Sequence, residues 1–161
     1  KKDLNNGVAE LRAYASELRP PTLSSFGLEK AINAHLEDFR RRHPHILVTY
    51  RARQQGAILP ETPRMALYRI YQELMNNIVK HAQASQVNIT FTKDLQAAEL
   101  VVQDNGVGFT VPSDWLELAR NKHLGLVGLQ ERAEAVGGRV EITSAPGEGA
   151  TVRIVIPLPE A

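Results

Sequence analysis

The feature that most constrains the fold is a long amphipathic run from about Thr62 to Ala82, set among short β-prone segments divided by turn residues. At 100° per residue, Leu67, Ile70, Tyr71, Leu74 and Ile78 fall on one stripe. A helix with such a stripe must bury it against a second layer. Thr62 is the expected N-cap, with Pro63 at the first helical position.

The flanking segments supply that layer. Ile46 to Arg53 reads as a strand, and Gln54 to Pro60 as a loop. Gln86 to Thr92 and Glu99 to Val102 read as paired strands turning around Asp94 to Ala97. Val140 to Thr143 and Thr151 to Ile156 pair around Pro146-Gly147-Glu148-Gly149. Leu28 to about Arg42 is helical and Pro44 ends it. Leu124 to Val136 is helical and Gly137-Gly138 ends it. Gly106 to about Lys122 has no clean period and reads as a loop with some helix. Helices mixed with hairpins predict an α+β fold, a mainly antiparallel sheet covered on one face by helices. A further helix, Asp3 to Leu18, repeats Leu4, Val8, Leu11, Ala15 and Leu18 before Pro20-Pro21 stops it. Residues 1–24 therefore read as an appendage from another module.

Bulk properties exclude several classes. The chain has 161 residues, 43% of them apolar, and a net charge of +1, which argues against a nucleic-acid-binding tail. It has no cysteine, so a disulfide scaffold and thiolate metal sites are excluded. No apolar run approaches the roughly 20 residues that span a bilayer. The start at Lys1-Lys2 suggests an excised piece of a longer protein.

Three polar elements are candidates for chemistry. Glu73, Asn77 and Lys80 share a helical sector about 60° wide. A carboxylate, an amide oxygen and an ammonium there can orient a nucleophile, ligate a hard cation and meet a phosphate. The same stripe also fits a face turned to water. Asp104-Asn105-Gly106-Val107-Gly108-Phe109 comes directly after an apolar strand, where an aspartate can accept a hydrogen bond from an exocyclic amine. It is also an ordinary turn signature. Gly125-Leu126-Val127-Gly128 opens a helix whose free amides can bind an anion. It is neither a Walker sequence nor a dinucleotide fingerprint.

The remaining conspicuous residues have plain readings. His35 is a packing residue on an apolar helix side, and His43 and His45 flank Pro44 with no third metal ligand. His81 beside Lys80 also fits a cap of the helix face. Arg40-Arg41-Arg42 reads as a solvated helix end, and Trp115 as a surface or loop anchor.

In order along the chain, these elements resemble the ATP-binding catalytic domain of bacterial two-component sensor histidine kinases. Tyr68 to Ala82 resembles the N box, Asp104 to Gly108 the first glycine box, and His123 to Gly128 the second. Gln130-Glu131-Arg132 with Gly137-Gly138 also fits. Leu18-Arg19-Pro20 and Gly27-Leu28 are similar to the subfamily of nitrate sensors and membrane thermosensors. The wider superfamily includes DNA gyrase, Hsp90 chaperones and MutL proteins.

The resemblance implies a two-layer α/β sandwich, the Bergerat ATP-binding fold. It implies that residues 1–24 are the C-terminal part of the dimerisation and phosphotransfer hairpin, and 25–161 the catalytic domain. Glu73 would be the catalytic carboxylate. Asn77 would bind ATP through Mg²⁺, with Lys80 and His81 near phosphate. Asp104, Gly106 and Gly108 would form the adenine side. His123, Gly125, Leu126 and Gly128 would belong to an ATP lid, about Thr110 to Leu124, and its anchoring helix. The implied reaction is γ-phosphoryl transfer from Mg·ATP to a histidine. Implied partners are the hairpin of the same protein, a response regulator and a second copy in a homodimer. The expected location is cytoplasmic for this soluble piece, with a parent that is a membrane-anchored or cytoplasmic sensor.

The sequence departs from the family twice. A threonine usually comes after the last glycine of the Gly-x-Gly turn and helps hold adenine. Here that position is Ala150, and Thr151 comes one later. Adjacent strand residues face opposite ways, so Thr151, the nearest candidate for that adenine contact, should not substitute directly. The phosphoacceptor histidine is also absent. Rival readings are a hydrolytic ATPase or serine kinase of the same fold, and a nucleotide-sensing module without catalysis.

Overall fold

The computed structural model describes residues 21–112 and 124–158. The helix expected over Asp3 to Leu18, Trp115, His123 and most of the expected lid lie outside the described residues.

The chain forms, in order, α1 (Pro21–Arg42), β1 (Leu47–Gln54), α2 (Glu61–Asn77), β2 (Gln86–Lys93), β3 (Ala97–Asp104), α3 (Leu124–Glu134), β4 (Arg139–Ser144) and β5 (Ala150–Pro157). The sheet order is β1-β2-β3-β5-β4. β1 and β2 run parallel and every other pair antiparallel, so the sheet is mixed. The helices cover one face. Side chains alternate across a pleat, so every second residue of β2 and β3 enters the core: Val87, Ile89 and Phe91, then Ala98, Leu100 and Val102. Registered pairs such as Phe91 with Leu100 and Val102 with Val152 build a continuous apolar layer. The stripe of α2 closes over it, with Leu67, Ile70 and Tyr71 all 0% exposed. Burial of each such side chain stabilises by about 1.5–3 kcal/mol.

Several boundaries differ from the sequence expectations. The helix expected from Leu28 begins at Pro21 and breaks at Gly27, whose φ of 85° lies outside the helical region. Leu23 ahead of the break is 1% exposed and part of the core, although it falls within the expected appendage. Helix α2 starts at Glu61 with Pro60 in the N-cap position, rather than at Thr62. The proline's fixed φ suits that position, and Pro63 lies within the first turn, where no intrahelical donor is required.

The other end of α2 changes pitch. After Asn77 the chain makes a π turn, Ile78–Ala82, and leaves it through Gln83 at φ 51°. A π turn widens the helix and shifts the angular position of its residues, so Lys80 and His81 leave the ideal 100° wheel. The turn aims the carbonyl of Ala82 at the loop after β3, where it accepts the Val107 N–H at 2.8 Å.

His35 is half-buried as a packing residue, edge-on to Tyr71 and near Phe39. It also shares a 2.7 Å hydrogen bond with the Tyr71 hydroxyl. Arg41 and Arg42 pair with Asp38, and Arg40 donates to the Val48 carbonyl at the sheet edge.

Candidate nucleotide site

A cavity of about 520 Å³ opens between the end of α2, the π turn, the loop after β3 and the start of α3. Glu73, Asn77, Lys80 and His81 line one wall. Asp104 and Gly108 line another, with Gly125 and Leu126 at the first turn of α3. With Ala150 and Val152 of β5, residues from four distant stretches of chain therefore meet in one concave site.

The Glu73 face is not a stripe turned to open water. A Cβ built on Gly125 would lie 2.7 Å from Glu73 Oε1, 3.3 Å from Asn77 Nδ2 and 3.5 Å from Asn77 Oδ1. The first turn of α3 thus packs against both side chains. Among the described residues neither makes a hydrogen bond, so their oxygens are free to meet a cation or polar ligand. No three His, Cys, Asp or Glu side chains converge among the described residues. A hard cation here would therefore share its coordination between one or two protein oxygens and a ligand's own oxygens. Mg²⁺ with phosphates behaves this way.

The Asp104 wall is held by identifiable hydrogen bonds and close backbone approaches. Asp104 Oδ1 accepts the Gly106 N–H at 2.8 Å, which turns the loop back immediately after β3. Burial pushes the Asp104 pKa above the usual carboxylate value, opposed by hydrogen bonds from the Gly106 and Ala150 backbones. A partly desolvated carboxylate with a fixed orientation is a strong acceptor for an N–H donor. Gly106 lies beneath the wall, where a Cβ would fall 2.2 Å from the Ala82 carbonyl oxygen. At Gly108 a Cβ would lie 2.0 Å from the Ala145 carbonyl oxygen. Only glycine permits these approaches. The β4–β5 turn clasps the same loop: Gly147 N–H donates to Val107 O at 2.6 Å, and Phe109 N–H to Ser144 Oγ at 2.9 Å.

Thr151, expected among the nucleotide contacts, lies outside the lining. It pairs with Gln103 and Thr143 on the sheet face away from the helices, whereas Ala150 and Val152 line the cavity. Gly128 is also outside the lining; its carbonyl accepts from Arg132 Nη1 at 3.1 Å. The apolar lining of Ile78, Val102 and Val152 was not among the site residues expected from sequence. Strand alternation from Asp104 would have found Val102, two residues back on the same face.

Comparison with known proteins agrees with this architecture. Residues 62–160 match the family described as histidine kinase-, DNA gyrase B- and HSP90-like ATPases. The histidine-protein kinase/phosphatase DegS of Brevibacillus brevis is 32% identical over 158 residues, covering 98% of this chain and 39% of that protein. The sensor histidine kinase LiaS of Bacillus subtilis is 30% identical over 149 residues, covering 92% of this chain and 39% of that protein. The chain thus spans well under half the length of these relatives. Among solved structures, the Acinetobacter baumannii histidine kinase AdeS superposes with a TM-score of 0.62 at 18% identity, covering 99% of this chain and 84% of that one. A histidine kinase domain from Erythrobacter litoralis superposes at 0.61 with 17% identity, covering 81% of this chain and 61% of that one. At these identities the structures speak to the fold alone.

Proposed function

Since the chain belongs to the family of histidine kinase-, DNA gyrase B- and HSP90-like ATPases, we propose that it binds Mg·ATP in this cavity and transfers the γ-phosphoryl group to a histidine. The acceptor is carried by a helical hairpin of the same protein, to which the part of residues 1–24 ahead of the buried Leu23 contributes and against which residues 25–161, with Leu23 in their core, act as the catalytic domain. The observation that carries the proposal is the meeting of Glu73, Asn77 and the α3 start at one end of a cavity whose other end holds Asp104.

Each residue has a chemical task. Asp104 accepts a hydrogen bond from the exocyclic amine of adenine. Gly106 and Gly108 let the loop lie close to the base. Lys80, His81 and the free amides of Gly125 and Leu126 face the phosphates, where positive charge and the helix N-terminus favour an anion. Asn77 would supply an oxygen ligand to Mg²⁺, which would neutralise phosphate charge. Glu73 orients the acceptor imidazole and takes its proton as the ring nitrogen bonds to the γ-phosphorus. The bond from phosphorus to the β–γ bridging oxygen breaks and ADP leaves. Catalysis then rests on positioning and charge. The parent acts as a homodimer on the cytoplasmic side and passes phosphate to a response regulator. Among the described residues no helix is long and apolar enough to cross a membrane.

The test supplies the acceptor in trans. The chain is incubated with Mg²⁺, γ-labelled ATP and a separate histidine-bearing hairpin. Acid-labile label on the hairpin, with none accumulating on this chain, is expected. Nucleotide binding without transfer would identify a sensing module. Release of free phosphate alone would identify a hydrolytic ATPase.

A further inference from the structure

Asn105 separates the cavity residue Asp104 from the buried Gly106, yet its side chain points elsewhere. Its Oδ1 accepts the backbone N–H groups of Ser85 at 3.0 Å and Gln86 at 2.9 Å. Its Nδ2 donates to Ser85 Oγ at 2.9 Å, and its own N–H donates to Gln86 O at 3.2 Å. The whole bonding capacity in use is directed at one dipeptide.

That dipeptide has a strategic place. Ser85 and Gln86 close the short exit from the π turn Ile78–Ala82, which carries Lys80 and His81. Asn105 opens the loop that carries Val107 and Gly108. The two walls of the cavity thus belong to separate elements, joined next to Asp104 by Asn105 and by the bond from Val107 N–H to Ala82 O.

We infer that Asn105 is a positioning residue that sets the spacing between the base-side and phosphate-side walls. The site thereby becomes selective for a ligand engaging both walls at once, a nucleoside di- or triphosphate with Mg²⁺, over one engaging the base side alone. This inference rests on the nucleotide reading above. The physical reason is geometric. Adenosine needs only the Asp104 wall, whereas a nucleotide has a fixed reach and senses the distance between the walls. Asn105 is exposed, so water can replace its bonds when it is removed. The fold is retained and the register between walls is loosened.

The experiment titrates the wild-type chain, Asn105→Ala and Asn105→Asp with Mg·ADP and, separately, with adenosine, by calorimetry or NMR. Aspartate can still accept both backbone N–H groups and the Ser85 hydroxyl. Loss of a few hydrogen bonds predicts that Asn105→Ala weakens Mg·ADP binding about five- to ten-fold and adenosine binding less than about two-fold. Asn105→Asp should stay within about two-fold of wild type for both ligands. Equal losses on the two ligands would mean that Asn105 merely supports the base loop, and no loss would mean that it does nothing here. Either result overturns the inference while leaving the nucleotide reading intact. A wild-type chain that binds neither ligand overturns both. Should Asn105→Ala fail to fold, Ser85→Ala removes one of the same bonds and must weaken Mg·ADP more than adenosine.

Discussion

A side-chain carbon at Gly125 would lie 2.7 Å from the Oε1 oxygen of Glu73. The first turn of α3 therefore rests directly on the carboxylate proposed to serve the reacting centre. The helix amides, the carboxylate and the Asn77 amide share one small volume, so a side chain on the glycine would have to displace the Glu73 carboxylate.

Gly125→Ala should separate stability from chemistry. The clash falls on the flexible end of Glu73 rather than on backbone, and alanine favours a helix over glycine by about 0.5–1 kcal/mol. The melting temperature should hold or rise slightly. Transfer to a hairpin in trans should fall by about ten-fold, as a displaced catalytic group loses its alignment. Unchanged transfer would show that Glu73 needs no fixed position.

Glu73 and Asn77 should differ in role although both line the same wall. Glu73→Ala should keep ATP affinity within a few-fold and lower phosphotransfer by about 10²-fold or more, the range for a positioned acid or base. Asn77→Ala should lose both, because in the proposed arrangement the phosphates are held through a cation on Asn77. Nucleotide titration of each variant and then transfer in trans make the comparison. Wild-type transfer by Glu73→Ala would remove it from the mechanism.

Ala150 is the cross-strand partner of Asp104 and lines the cavity. Ala150→Thr should add a hydroxyl beside the base and tighten ATP binding several-fold, one hydrogen bond contributing about 0.5–1.5 kcal/mol. Asp104→Asn should remove most of the binding, since an amide is a weaker acceptor than a charged oxygen and brings its own donors. Calorimetry reads both. Equal ATP affinity in Asp104→Asn would put the base elsewhere.

His35 should make stability fall on mild acidification. Burial and the Arg42 charge hold its folded-state pKa below the ordinary value of 6.5, with Asp38 opposing. Tyr71 faces it from α2, and Phe39 packs on it from α1. A lowered folded pKa means that the unfolded chain takes up the proton first. The contribution is therefore fully present above 6.5 and is lost as pH falls from there through the folded value. Urea denaturation between pH 8 and pH 5 should show this slope, and His35→Gln should flatten part of it. An identical slope in the variant would assign the effect to other groups.

The chemistry-bearing segments are legible in the sequence because their signals are local. A period of 3.6 over Leu67 to Ile78 names a buried helix face, and a period of two in β2 and β3 names a buried sheet face, whatever the partners turn out to be. The order of the segments around Glu73, Asp104 and Gly125 resembles the boxes of the ATPase family that residues 62–160 match, whereas each segment alone also reads as a solvated face or an ordinary turn. Pleat alternation by itself also separates Ala150 from Thr151.

The features that the tertiary structure alone decided have no local signature. The parallel pairing of β1 with β2 and the insertion of β5 between β3 and β4 depend on which distant apolar faces pack best. The break at Gly27 and the burial of Leu23 depend on the core reaching back past that glycine. The π turn rotates Lys80 and His81 off the ideal helical wheel and brings the Ala82 carbonyl to the Val107 N–H. Asn105 has the sequence signature of a turn residue, and its three side-chain bonds exist only because β2 begins beside the end of β3. Periodicity and backbone propensity are properties of neighbours in sequence, whereas the distance between Glu73 and Gly125, fifty-two positions apart, is set only when both helices settle on one sheet.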